Sequence, residues 1–257
     1  FISNSTSPEG RHVAVQPGLV EFAESAGLTA LPYGPELEDF LNEDFLRNFW
    51  AQLVRNPAGS LRELWAPIIE YWPETGRTLL TIADGADLLS TGLNYEQPAA
   101  NVAESFDIPL ISLHHFPIRP NSQLVPMLPS PVVRSAVKVF EWLFWLATKG
   151  VENAQRDELG LQKATVSSPR RIAERGSLEI QAYDAVCFPG LAKEWAKWAR
   201  QRPFVGALTM ELTTDADDEV ESWIAAGTPP ICFATGSIPV ESPEATLTMI
   251  SAACAQL

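Results

Sequence analysis

Two adjacent histidines are the residues of this sequence whose type and position best suit chemistry. His114 and His115 directly follow the apolar segment 108–113, which predicts a buried strand. Ligands of open α/β sheets bind beyond the carboxyl ends of strands, so this pair could line a cleft. Because consecutive residues of an extended chain point to opposite sides, at most one of the two should face it. A histidine that only forms a hydrogen bond at a strand end is an equally good interpretation.

Polar residues also follow the predicted strand that precedes this one. The segment Asn94-Tyr95-Glu96-Gln97 could bind polar groups of a ligand, but capping of the helix that follows is the favoured interpretation. No cysteine or acidic residue lies at ligand spacing around the two adjacent histidines, so no metal is expected there. The remaining histidine, His12, begins a predicted strand and is assigned a structural role.

A third candidate is the turn Thr235-Gly236-Ser237, which leads from an apolar run towards a helix. Backbone N–H groups at such a turn can bind an anionic ligand, although glycine and serine are common there in any case. The sequence contains no complete catalytic motif: a Gly-x-Gly-x-x-Gly fingerprint, a phosphate-binding loop, a His-Glu-x-x-His pair and a Gly-x-Ser-x-Gly elbow are all absent.

Composition narrows the class of protein. Of the 257 residues, 46% are hydrophobic and 19% are charged, a balance typical of a globular chain and not of a disordered one. The net charge of -14 would repel phosphate, so no nucleic-acid partner is expected. The three cysteines, Cys187, Cys232 and Cys254, each lie in an apolar run and are predicted to be buried and reduced.

The sequence also bears on location. The longest uncharged stretch, 224–240, is interrupted by prolines and glycines and therefore predicts no transmembrane helix. The first residues show no signal-peptide pattern, so a cytoplasmic location is expected.

The elements that must position the candidate residues alternate between strands and helices. Strands are expected over 11–15, 28–33, 86–91, 108–113, 178–187, 202–206 and 230–234, and helices over 19–26, 61–72, 99–106, 132–147, 220–226 and 242–257. Segment 1–10 is predicted to be an irregular tail and 120–131 a loop. Pro67 should kink its helix or mark its first turn. The short links around 99–106 predict a parallel crossover between two strands.

The fold class that follows is α/β. A first domain is expected over 1–207, a linker over 208–218, and the start of a second domain over 219–257. The helix predicted over 132–147 is apolar on nearly every side. Burial in the core is the favoured reason, and contact of one face with an apolar partner is the alternative.

Taken in order, several segments resemble the acceptor half of family 1 glycosyltransferases, which are enzymes of the GT-B type. The matching segments are 86–92, 99–104, Ile108-Pro109, His114-His115-Phe116-Pro117, 202–206 and 223–230. The segment 233–237 is similar to the turn that opens the donor domain, with Ala234 in place of the first glycine. The resemblance is closest to bacterial enzymes that glycosylate glycopeptidolipids and related natural products.

The resemblance implies two Rossmann-like domains and a hexosyltransferase. Such an enzyme moves a hexose from a UDP- or dTDP-linked donor to a hydroxyl of a lipid or natural-product acceptor. His114, His115 and Asn94 would bind the acceptor, and Gly236 and Ser237 would approach the donor diphosphate. No metal or other cofactor is implied, since the nucleotide-sugar is a co-substrate, and peripheral contact with a membrane is compatible with a lipid acceptor.

Two departures from the family pattern limit what this chain is expected to do alone. Segment 1–10 does not match the strand and loop that carry the family's general base, so no catalytic residue is assigned here. The family's His-x-Gly-Gly motif is expected beyond Leu257. The chain alone is therefore predicted to be inactive, and a missing first strand should leave an unpaired sheet edge that promotes self-association. The alternatives are a non-catalytic fragment that binds an apolar acceptor, and a structural protein without a ligand.

Overall fold

A single six-stranded sheet organises most of the chain. The computed structural model describes residues 2–4, 11–35, 55–125, 127–209, 215–234 and 242–255. The strands are β1 (Ile2–Asn4), β2 (Arg11–Val15), β3 (Thr29–Pro32), β4 (Leu88–Thr91), β5 (Leu110–His114) and β6 (Leu178–Gln181). Their order across the sheet is β3-β2-β1-β4-β5-β6. The fold class is therefore mixed α/β, as predicted.

Helices separate most of these strands along the chain, and the last three helices follow β6. The helices are α1 (Val20–Ser25), α2 (Pro57–Ala83), α3 (Glu96–Ser105), α4 (Ser130–Glu158), α5 (Ser168–Glu174), α6 (Leu191–Glu194), α7 (Asp215–Ala226) and α8 (Pro243–Cys254). The predicted unit β4-α3-β5 is present, and β4 and β5 pair in parallel. Gly27, at φ +78°, ends the turn after α1, where a side chain would be strained.

The start of the chain differs from the prediction of an irregular tail. β1 lies between β2 and β4 and pairs antiparallel with both: Ile2 lies opposite Val13 on one side and Ser90 on the other. Strand β1 thus fills the position that the sequence analysis left empty, so no strand edge is unpaired there. Self-association stays a prediction, but this edge no longer supports it.

Three of the other predicted strands are reduced to half their length or less, or are absent. After β6 ends at Gln181, residues 185–187 form a 3₁₀ turn, and the segment 202–206 contributes only one bridge, from Phe204 to Gln181. Residues 230–234 form no strand, because the described residues offer no neighbouring strand with which they could pair.

The core packs against one face of the sheet. Its buried residues come mainly from α2, α3 and the central strands: Ala14, Leu79, Ile82, Ala83, Leu89, Ala99, Ala100, Val102, Ala103, Leu110 and Ile172. Buried hydrogen bonds to Gln155 support this core. The Gln155 side-chain oxygen accepts hydrogen bonds from Trp72 at 2.9 Å and from Asn101 at 2.8 Å. One residue of α4 thereby links α2 and α3.

The two long helices extend well beyond their predicted bounds. α2 runs through Pro67 and Pro73 and begins ten residues before Pro67, so Pro67 does not mark its first turn. Its N-terminus is capped by Asn56, whose side-chain oxygen accepts a hydrogen bond from the backbone N–H of Gly59. α4 is only partly a core helix: Val139, Trp142 and Leu146 are each more than half exposed.

The chain divides into two compact units, Phe1–Leu208 and Thr209–Leu257. In the second unit, α7 begins inside the stretch assigned to the linker, so residues 215–218 are helical. α8 begins as predicted, with the Ser242 hydroxyl accepting from the backbone N–H of Ala245, and it ends at Cys254. The three cysteines are exposed and not buried as predicted, because they lie in a 3₁₀ turn, a segment without strand structure and a helix without buried residues.

None of the helices in the described part of the chain combines the length and hydropathy needed to cross a bilayer.

Candidate functional site

A cavity of about 730 Å³ opens between α2, α4 and the loops that follow β4 and β5. Most of the side chains that line it are apolar. They are Leu64, Trp65, Ile68, Leu93, Asn94, Glu96, Gln97, Phe116, Ile118, Arg119, Leu124, Ala136, Val137, Phe140, Glu141, Phe144, Trp145, Thr148, Ser168 and Pro169. An apolar cavity of this size with a few polar groups is typical of a small-molecule binding site.

Aromatic side chains from two helices form the apolar wall. Trp65 of α2 contacts Phe140 and Phe144 of α4, with ring centroids 5.6 and 5.5 Å apart. The indole N–H of Trp145 donates to Glu152 at 3.1 Å. This bond satisfies the indole N–H while other atoms of the residue line the cavity.

A fully buried charge network lies against the polar side of the cavity. Arg119 donates to the Glu96 carboxylate at 2.7 Å and also to Glu179 of β6. The second oxygen of Glu179 accepts from Arg202 at 2.7 Å. The Arg202 guanidinium in turn lies 5.0 Å from the ring centroids of Trp195 and Trp198. Two carboxylates and two guanidiniums therefore neutralise one another in the interior.

Electrostatics keep the Glu96 carboxyl ionised in spite of its burial. Removal from water alone would raise its pKa, but the charge of Arg119 and a hydrogen bond from His114 lower the pKa to about 2. The same ion pairs raise the pKa of Arg119 in spite of the cost of burying it. Glu96 and Arg119 are thus both charged at neutral pH.

His114 is held in one tautomer behind this network. The Gln181 amide nitrogen donates to the backbone carbonyl of Glu179 at 2.6 Å, and the Gln181 oxygen accepts from Tyr183 at 2.7 Å, which fixes the amide orientation. The same amide nitrogen faces Nδ1 of His114 at 3.4 Å. Nδ1 is then the acceptor, and Nε2–H donates to Glu96 at 3.1 Å.

One carboxyl group of the cavity has no such partners. The Oε1 atom of Glu141 on α4 is buried and forms no hydrogen bond with any described residue. Burial raises the pKa of Glu141 to about 7; the charges of Arg119 and Arg202 oppose this rise, and those of Glu179 and Glu96 add to it. The Gln97 side-chain oxygen, in the same lining, is likewise without a hydrogen-bond partner among the described residues.

A second polar network includes Ser168 of the cavity lining. Glu152 of α4 accepts from Ser168 at 2.9 Å and pairs with Arg171 of α5. Arg156, one turn further along α4, binds Glu104 of α3 through two nitrogens at 2.8 and 2.9 Å. These ion pairs explain why Glu152, Gln155 and Arg156 are buried in the last turns of α4 although the sequence there is polar.

The structure separates the predicted site residues. Asn94 lines the cavity. His114 is completely buried and reaches the cavity only through Glu96, whereas His115 is exposed at the surface. Gly236 and Ser237 lie outside the described residues.

The prediction that residues 94–97 cap the following helix is wrong, because their side chains form no capping hydrogen bond. Tyr95 occupies the N-cap of α3 and makes no side-chain capping bond. Glu96 and Gln97 instead turn towards the network and the cavity.

Sequence reasoning missed Arg119, Glu141, Glu179 and Arg202. Glu141 had a visible signal, since it is the one acidic residue in the apolar run 139–147. The other three had none, because they come together from segments that lie far apart in sequence.

A group of possible metal ligands was also missed, because its members lie far apart in sequence. Glu96, His114 and Glu179 bring ligand atoms within 4.8 Å of one another. Both carboxylates already pair with Arg119, and Glu179 also pairs with Arg202. A metal cation would have to displace these guanidiniums, so the residues present fit an ion-pair network better than a metal site.

Comparison with known proteins identifies close relatives in sequence. The chain is 55% identical over 248 residues to an uncharacterized glycosyltransferase of Mycobacterium tuberculosis, covering 95% of this chain and 59% of the relative. An uncharacterized glycosyltransferase of Mycobacterium leprae is 50% identical over 248 residues, covering 95% and 58%. An uncharacterized protein of Mycobacterium bovis is 52% identical over 252 residues, covering 96% and 58%.

No family model matches the chain. Among solved structures, spinosyn forosaminyltransferase matches with a TM-score of 0.33 and 16% identity over 60% of this chain and 35% of that protein, a similarity too low to inform the fold. The chain spans about three fifths of the length of the curated relatives it matches. Over nearly its whole length it is therefore similar to mycobacterial proteins that are named glycosyltransferases.

Proposed function

We propose that this chain is the acceptor-binding part of a GT-B glycosyltransferase of family 1. The proposed reaction transfers a hexose from a UDP- or dTDP-linked donor to a hydroxyl group of a lipid or natural-product acceptor. Identities of 50–55% to proteins named glycosyltransferases support the class of reaction. The ordered motifs in 86–117 and 202–237 support the family.

The cavity between α2 and α4 is the observation that carries the proposal. Its wall is formed by Trp65, Phe140 and Phe144, so it favours an apolar molecule. Its polar side lies beyond the carboxyl ends of β4 and β5, where Asn94 and Glu96 enter the lining. An acceptor could therefore place its apolar body between the helices and its reacting hydroxyl near the ends of the strands.

The donor is proposed to bind elsewhere. A nucleotide diphosphate needs cationic or backbone N–H partners, and Arg119, which lines the cavity, is already bound to Glu96 and Glu179. Gly236 and Ser237 are the proposed contacts to the diphosphate, by resemblance to the family. The reaction needs no resident cofactor: a base removes the acceptor proton, the oxygen attacks the anomeric carbon, and the nucleoside diphosphate leaves.

A chimera tests the proposal. Residues 11–208 of this chain replace the matching segment of the Mycobacterium tuberculosis relative, and transfer of labelled hexose from UDP-glucose or dTDP-glucose to a mycobacterial lipid extract is measured. We expect transfer by the chimera and none by the 257-residue chain alone. Transfer should fall when Phe140 and Phe144 are both replaced by alanine, and should persist in the Val139→Ala control.

Two results would contradict the proposal. One is a folded chimera that hydrolyses the donor but glycosylates no lipid. The other is a chimera whose transfer is the same with and without the two phenylalanines of the cavity wall.

A further inference from the structure

The buried charges beside the cavity do not balance. Three carboxyl groups, those of Glu96, Glu179 and Glu141, share the region with two guanidiniums, those of Arg119 and Arg202. The first two carboxylates are paired with the two arginines. Glu141 is left over, and it is the one of the three that is only half-buried.

Glu141 is also placed to meet a ligand. It lines the cavity on the same helix as Phe140 and Phe144, and its buried Oε1 has no partner among the described residues. Gln97, 7% exposed, contributes a second unpartnered oxygen to the same lining. Two hydrogen-bond acceptors thus face a cavity in which Arg119, the one cation that the described residues place in the lining, is already engaged.

A molecule bound in the cavity must therefore supply the positive counter-ion for the ionised Glu141 carboxylate. When this carboxyl ionises, the group of five charges carries one net negative charge in a largely apolar surrounding, which is costly without a counter-ion. A neutral hydroxyl could donate one hydrogen bond but would leave that charge uncompensated. An ammonium group supplies both the positive charge and several donors.

We propose that the cavity binds an apolar molecule that carries a protonated amine, with the ammonium group paired to Glu141 and hydrogen-bonded to Gln97. The aromatic wall of Trp65, Phe140 and Phe144 packs against the apolar body of the same molecule. This inference rests on the proposed function only for its biological meaning: the acceptor would then be an amine-bearing lipid or natural product. Binding itself is a property of the described cavity.

Matched ligands of equal chain length test the inference on the full 257-residue chain. Decylamine and decanol are titrated calorimetrically at about pH 8 and physiological salt, where contacts with the acidic surface are screened but a buried pair is not. We expect decylamine to bind at least about tenfold more tightly than decanol. Glu141→Gln should remove that preference.

A control variant and a pH series test whether the preference for decylamine depends on Glu141. Glu158→Gln removes one exposed carboxylate from the same helix and should leave both affinities as they are. In the unmodified chain, decylamine affinity should fall about tenfold or more from about pH 8 to about pH 5.5, because Glu141 takes up a proton over that range while the amine stays charged.

Equal affinities for the two ligands, or a decylamine affinity that is the same in Glu141→Gln, would overturn the inference. Neither result would touch the proposed glycosyl transfer, which depends on the chimera and not on the preference for an amine. Conversely, a chimera without transfer would leave the amine preference of the cavity intact.

Discussion

At the scale of single residues, Glu141 gives the cavity its distinctive electrostatics. Its folded-state pKa of about 7 lies above the ordinary value of 4.5 for a glutamic acid. A raised carboxyl pKa means that the stability present at low pH is lost as the pH rises through about 7. The carboxylate is therefore tolerated at some cost to folding, as is common for residues that bind ligands.

The substitution Glu141→Gln should make the protein more stable above neutral pH. At about pH 8 we expect the free energy of unfolding to rise by roughly 1–3 kcal/mol, since glutamine imitates the neutral carboxyl. The gain should vanish near pH 4, where the glutamic acid is itself neutral. Urea denaturation at both pH values measures this, and a variant that is less stable than the parent at the higher pH would refute the assignment of Glu141 as unpaired.

Unlike Glu141, Glu179 forms ion pairs with two arginines, Arg119 and Arg202. Glu179→Gln leaves buried guanidinium charge without a counter-ion and should lower the free energy of unfolding by about 3–5 kcal/mol. The control Glu174→Gln breaks an exposed pair with Arg170 and should cost less than about 1 kcal/mol. Chemical denaturation at neutral pH compares the two, and similar losses would mean that the network is not a structural anchor.

At the scale of elements, α4 joins the cavity to the rest of the fold. Its first half contributes Phe140 and Phe144 to the wall, and its second half is held by Gln155 and by the ion pairs of Glu152 and Arg156. One helix therefore carries both the ligand-facing surface and its support. Movement of α4 would change the shape of the cavity directly.

Truncation of the wall should weaken apolar binding without removing the cavity. Phe144→Ala deletes the ring that contacts Trp65 and should lower decanol affinity by about tenfold, the effect expected from losing a large apolar contact. Val139→Ala, on the exposed side of α4, should leave the affinity unchanged. Tryptophan fluorescence follows the titration, and equal affinities in the two variants would place the ligand elsewhere.

The elements differ in how far the sequence predicts them. β4, α3 and β5 follow from apolar runs with short links, because local pattern and tertiary burial agree there. The second half of α4, from Thr148 to Glu158, is polar and was not predicted as helix. Its burial depends on Arg171 and Glu104, which reach it from distant segments. Likewise, β1 was missed since its polar sequence gains strand structure only from its two neighbours.

The residues of the candidate site also differ in how far the sequence predicts their positions. Asn94 lines the cavity, and this position after β4 follows from the topology of parallel strands; its binding of a ligand stays a prediction. The roles of His114 and His115 were not separable from sequence, since alternation shows that they face opposite ways but not which faces inward. The network of Glu96, Arg119 and Glu179 needs three segments folded together and leaves no local pattern.

At the scale of the whole molecule, the proposed acceptor site lies in the first unit, and the donor is proposed to bind at another site. The cavity is mostly apolar, and the part of the chain that the structure describes gives its lining one cation, Arg119, which is neutralised by Glu96 and Glu179. A nucleoside diphosphate would bring two or more negative charges beside the carboxyl group of Glu141. Nucleotides should therefore neither enter this cavity nor compete for it.

The most direct test is a calorimetric titration of the 257-residue chain with decanol, alone and with excess UDP or dTDP. We predict one saturable site whose affinity is the same in all three titrations, and no heat from nucleotide binding in the micromolar range. If decanol shows no saturable binding, or if either nucleotide displaces it, the cavity between α2 and α4 is not an apolar acceptor site.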